Sequence, residues 1–232
     1  MGMARWICNF LLFQSVFTKF PGALIRVAAT VVAVLGVVTA MSAAAEGQTK
    51  PAATGTDVVV HVADLANSAL SEFAFWTDSA SPGGKLVGYP NRGDILDPPP
   101  EDDPHVTFTV QVQRGVPYRC WVHMKVGPPK GKSQANMVFV QFTDAVDKGN
   151  KEAYKPGTGS YLTARGSTSE GWKWVGCDAQ SGPALVSFKN GGTVTVRIQA
   201  GMEGVGFDQV VLSPSRFLDT PPSEAVVAKA KS

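Results

Sequence analysis

The sequence predicts an all-β fold, a sandwich or barrel of short antiparallel strands, and three observations carry that prediction. Apolar and polar residues alternate with period two in separate stretches such as VTFTVQVQ (106–113) and TVTVRIQ (193–199). These runs are bounded by Gly, Pro, Asn and Asp, the residue types that set turn geometry and interrupt ladders. After residue 57 no stretch repeats its apolar residues convincingly every 3.6 positions, as an amphipathic helix would.

Along the chain, the first 45 residues hold Arg5, Lys19 and Arg26 but neither Asp nor Glu. The run VAATVVAVLGVVTAM from Val27 and the small residues Ser42-Ala43-Ala44-Ala45 follow. Basic, apolar and small-residue regions in that order predict a secretory signal peptide over 1–45, cut after Ala45. The Ala/Val-rich run has no basic stop-transfer cluster behind it, which argues against an uncleaved anchor. Residues 46–56 (EGQTKPAATGT) read as a flexible linker. A single domain is expected over 57–217, and 218–232 form a C-terminal tail.

Removing the leader's three cations leaves 18 Lys+Arg against 19 Asp+Glu. A nearly neutral domain offers no electrostatic footprint for nucleic acid, and no basic patch for anionic membranes. The expected location is secreted, periplasmic or on the cell surface, with no membrane attachment after cleavage.

The strands follow in order. DVVVHVADL is rich in β-branched residues, and 64–72 has room for one short helical turn. In VTFTVQVQ, Phe108, Val110 and Val112 share a face. In YRCWVHMKV (118–126), Cys120, Val122 and Met124 read as the core face, against Arg119, Trp121, His123 and Lys125. In NMVFVQFTD (136–144), Phe139 and Gln141 oppose Val138, Val140 and Phe142. In TVTVRIQ, Arg197 and Gln199 oppose Val194, Val196 and Ile198, and GFDQVVLS (206–213) closes the series. The polar faces either combine into one concave surface or lie under loops that bury Trp121 and Phe139 in a second small core.

The stretch GWKWVGCD (171–178) places Trp172 and Trp174 two residues apart, on one face of an extended backbone. Glycines at 171 and 176 favour an irregular loop. The indoles are either edge packing or a flat platform for a ligand. Cys120 and Cys177 are an even pair in an oxidising compartment, so a disulfide closing a loop of more than fifty residues is expected, with two separate buried thiols as the alternative.

No catalytic motif is present, so an enzyme is not expected. GPPKGKS (127–133) has Val126 where a phosphate loop needs its first Gly. His61, His105 and His123 form no H-E-x-x-H, and Glu101-Asp102-Asp103 lacks the spacing of a calcium loop. The aromatics say more: a sugar ring lays its C–H face on an indole or phenol ring while a few polar groups fix its hydroxyls.

VVVHVADL, PYRCWVHMKV, MVFVQFTDAVD, GWKWVGCD and GGTVTVRIQAGMEGVGFDQVVLSPS, in that order over about residues 57–217, resemble the galactose-binding-like jelly rolls. The likeness is to carbohydrate-binding modules of the family 6 and family 35 type. That resemblance implies a jelly-roll β-sandwich of two antiparallel sheets, a glycan or polysaccharide partner and no catalysis. It assigns the stacking aromatic to Trp172 or Trp174, with Tyr89 or Trp76 completing the sandwich. The family often carries an Asn before its last strand; here Glu203-Gly204-Val205-Gly206 stands there, with Glu203 as the substitute. The resemblance further implies a structural Ca²⁺ between the first and last strands, held by Asp64 and Asp208, and a second site on the concave sheet, matching the face of Trp121 and His123. A structural or adhesive jelly roll that binds protein or surface polymer without sugar specificity is the alternative.

Overall fold

The structure is a computed structural model and describes residues 55–223. The signal peptide expected over 1–45, most of the linker and the end of the tail lie outside the described residues.

The strands form where the period-two runs predict them. They are β1 Val58–His61, β2 Leu70–Ser71, β3 Ala74–Thr77, β4 Lys85–Gly88 and β5 His105–Val112. β6 Tyr118–Val126, β7 Met137–Phe142, β8 Ala145–Val146, β9 Leu162–Arg165 and β10 Gly171–Ala179 follow. β11 Gly182–Pro183, β12 Leu185–Phe188, β13 Gly192–Ala200 and β14 Gly206–Ser213 complete the order. The only helical elements among the described residues are two 3₁₀ turns, Val62–Asp64 and Asn67–Ala69. The helical turn expected near 64–72 is thus split in two.

One layer runs β2-β5-β13-β7-β9, and the other is built on β10-β6-β14, with β1 and the pair β4-β3 on β14. All named pairings are antiparallel, so the expected sandwich is present. Strand β10 belongs to both layers. Gly171–Gly176 pairs with β6, and from Cys177 the strand pairs with β9 instead.

The core is the set of inward-facing positions. Val106, Phe108 and Val110 pair with Ile198, Val196 and Val194 across one ladder, and Cys120, Val122 and Met124 supply the other layer. Alternation places one side chain of each successive pair inward, so the strand faces are legible in the sequence.

One expectation is corrected. GWKWVGCD is not an irregular loop but most of β10, because its residues continue the ladder of β6. Of the two arrangements open for the outward faces, the structure has the covered one. Trp121 and His123 sit on β6 in one layer, while Phe139, Gln141, Arg197 and Gln199 sit on β7 and β13 in the other. Both faces are partly roofed. Phe217 and Val211 cover Trp121, and Met137, Met202 and Tyr161 pack on Phe139, giving two small cores outside the main one.

Candidate functional site

The short β3 has the sequence AFWT and forms the edge of its layer. Alternation turns Phe75 toward the core and Trp76 outward, and the indole is 43 % exposed. Trp76 is paired with Leu86 on β4. Its ring lies over Gly88, where an added Cβ would stand 3.1 Å from the indole carbons. Gly88 is in turn paired with Gly206 of β14. The missing side chain at Gly88 leaves room for the indole, while Gly206 makes room for Leu86.

Beside the ring is a cleft of about 270 Å³ lined by Trp76, Leu86, Asp78, Lys125, Asn91 and Gly204. Lys125 Nζ donates to Asp78 Oδ2 at 2.5 Å. That hydrogen bond holds the Asp78 carboxyl below its ordinary pKa, against the opposing effect of burial. The cleft therefore combines an apolar ring face with a carboxylate, an ammonium and an amide.

Its rim is built from three loops locked together. Lys132 N–H donates to Gly93 O at 2.7 Å, Lys130 Nζ to Asn91 O at 2.9 Å, and Asn91 Nδ2 to Pro128 O at 3.2 Å. Glu203 is buried and its Oε2 accepts the backbone N–H groups of Arg92 (2.8 Å) and Asp94 (3.1 Å). Its carbonyl accepts Ser133 Oγ–H at 2.6 Å. Gly204 has φ +79°, and a Cβ there would meet Asn91 at 2.7 Å. The space of a side chain at 204 is filled by Asn91 from another loop.

Other expected site residues lie elsewhere. Tyr89 is buried in the core, 5.8 Å from the Phe73 ring, and offers no platform. Glu203 anchors loops rather than facing a ligand, since its Oε2 is taken by two backbone donors. Trp172 and Trp174 are half-buried around His123, which stacks on Trp172 (4.8 Å, 15°) and tilts against Trp174 (4.8 Å, 34°). His123 Nδ1 is 2.7 Å from Asp208 Oδ1. Trp121 is buried under Phe217, to whose carbonyl it donates at 2.7 Å.

The calcium expectation does not fit these residues. Asp64 is exposed on a 3₁₀ turn, whereas Asp208 is buried with one oxygen engaged by His123. Among the described residues no group of three or more His, Cys, Asp or Glu is placed to hold a metal ion. Cys120 and Cys177 are buried side by side, with sulfurs 3.1 Å apart.

On the other layer, the outward face is divided. Arg197 donates to Asp102 at 3.0 Å and Gln199 to the Asp97 carbonyl at 2.9 Å, so the loop before β5 covers β13. Further along, Phe139, Tyr161, Thr163, Arg165 and Asp178 line an open depression of about 450 Å³. Nothing in the sequence singles out Asp78, Asn91, Lys125 or Tyr161 as site residues. Each lies on a separate element, and only AFWT carried a local signal, an aromatic on the polar side of a short alternating run.

No family model and no curated protein match the chain. Among solved structures it is similar in fold to a family 35 carbohydrate binding module from Clostridium thermocellum, at 17 % identity over 67 % of this chain and 98 % of that one, TM-score 0.40. It is similar to a carbohydrate binding module from Cellvibrio mixtus lichenase 5A, solved in complex with cellotriose, at 13 % identity over 68 % and 98 %, TM-score 0.42. It also resembles part of a Podospora anserina GH26-CBM35 β-(1,4)-mannanase, at 16 % identity over 72 % of this chain and 29 % of that one, TM-score 0.40.

Proposed function

We propose that this chain is an exported, non-catalytic domain that binds glycan in the Trp76 cleft. One observation carries the reading: an exposed indole packed against Gly88, beside a cleft with a carboxylate, an ammonium and an amide. A pyranose stacks its apolar face on such a ring, and its hydroxyls meet the polar groups. Buried Trp121 and the half-buried Trp172 and Trp174 support the sheet rather than the ligand.

The test is affinity electrophoresis against a broad polysaccharide panel, with wild type and Trp76→Ala side by side. Retardation by at least one polysaccharide is expected. Trp76→Ala should lose about 2 kcal/mol of binding, roughly 30-fold, with an unchanged circular dichroism spectrum because the indole is largely outside the core. No retardation on any polysaccharide would move the reading to a structural or adhesive domain that contacts protein or surface polymer. Retardation that survives Trp76→Ala would move the site to the Phe139–Tyr161 depression.

A further inference from the structure

The two cysteines that the proposed function leaves unused stand at the point where β10 changes layer. The β6–β10 ladder pairs Gly171 with Val126 and ends at Gly176 with Trp121. The next position in that register would pair Cys177 with Cys120, but from Cys177 the backbone pairs with β9. The side chains nevertheless meet: both point into the core, both are fully buried, and their sulfurs are 3.1 Å apart. On the other side of the crossing, buried Arg119 donates to the Cys177 carbonyl at 2.5 Å and to the Ala184 carbonyl at 3.2 Å. The crossing is thus fastened by a guanidinium outside and met by two thiols inside.

We propose that Cys120 and Cys177 are a cross-link site, closed to a disulfide by exchange with a disulfide donor while the sandwich folds. One thiolate attacks the donor disulfide, forming a mixed disulfide and releasing one donor thiol. The second cysteine, as thiolate, displaces the other donor thiol and closes the Cys120–Cys177 bond. The two cysteine protons leave to solvent or to the released thiolates, and the donor is reduced to two thiols. Closure precedes completion of the core, because the finished fold shields both sulfurs and burial pushes the Cys177 thiol up well above its ordinary pKa. The bond links residues 57 positions apart and removes chain entropy from the unfolded state.

The experiment refolds the full chain in a glutathione redox buffer and, separately, in excess reductant, then alkylates in denaturant and maps the peptides. A Cys120–Cys177 linked peptide is expected in the first sample only, with a thermal midpoint about 10 °C higher than in the second. The double variant Cys120→Ala, Cys177→Ala should lose the redox-dependent shift, which separates it from any contribution of Cys8. If that variant does not fold, the wild-type peptide map still decides. Recovery of both cysteines as alkylated thiols after redox refolding, or of either one linked to Cys8, would overturn the proposal.

Discussion

At the scale of single residues, burial separates platform from scaffold. Trp76 and Trp121 both lie on the outward side of their strands, yet one is exposed and the other covered by Phe217. Glu203 shows the same separation for a carboxylate. With two backbone N–H groups on one oxygen, it is a loop anchor. Truncating it leaves those donors without their charged acceptor, a loss of about 2–3 kcal/mol. Glu203→Ala should therefore lower the unfolding free energy from urea titration by that amount and weaken polysaccharide retardation as well, because Asn91 is seated by the same loops. An unchanged unfolding free energy would show that Arg92 and Asp94 do not need this carboxylate.

At the scale of elements, β10 is the most informative. Its sequence holds two tryptophans, two glycines and a cysteine, and it pairs with a different layer at each end. The stacking of Trp172 on His123 joins β10 to β6, and the His123–Asp208 contact joins β6 to β14. Trp172→Ala should cost about 2 kcal/mol of stability, less than a fully buried Trp because the indole is half-exposed. Guanidinium unfolding measures it, and glycan retardation should persist while the variant remains folded. Loss of retardation with unchanged stability would return the ligand to this pair. The alternation in β5, β6, β7 and β13 was legible because one face of each is apolar. The strand character of 171–179 was not, because its tryptophans and glycines carry no clear period and the neighbouring β6 supplies the order.

At the scale of the whole molecule, the buried imidazole of His61 gives a pH dependence. Burial lowers its pKa from the ordinary 6.5, and the charges of Asp64 and Asp208 only partly restore it. The unfolded state therefore binds a proton at pH values where folded His61 stays neutral. Stability falls as pH drops below about 6.5 and stops falling, for this group, below the folded pKa. The Asp78 carboxyl, held low by Lys125, acts only in a separate window below its ordinary 3.8. Thermal midpoints between pH 7.5 and 5 should decline in wild type and decline less in His61→Gln. Equal slopes would assign the dependence to other groups.

The sequence by itself determined the class of fold, the inward residues of the long strands and the absence of a catalytic motif, since these depend on local alternation and spacing. The tertiary structure alone decided that Trp76, Asp78, Asn91 and Lys125 share one cleft, that the outward faces of β6 and β13 lie on different layers, and that Cys120 touches Cys177. The reason is physical: period and composition act over a few residues, whereas the Asp78–Lys125 and Cys120–Cys177 contacts join positions 47 and 57 apart along the chain, which only the registers of whole strands bring together.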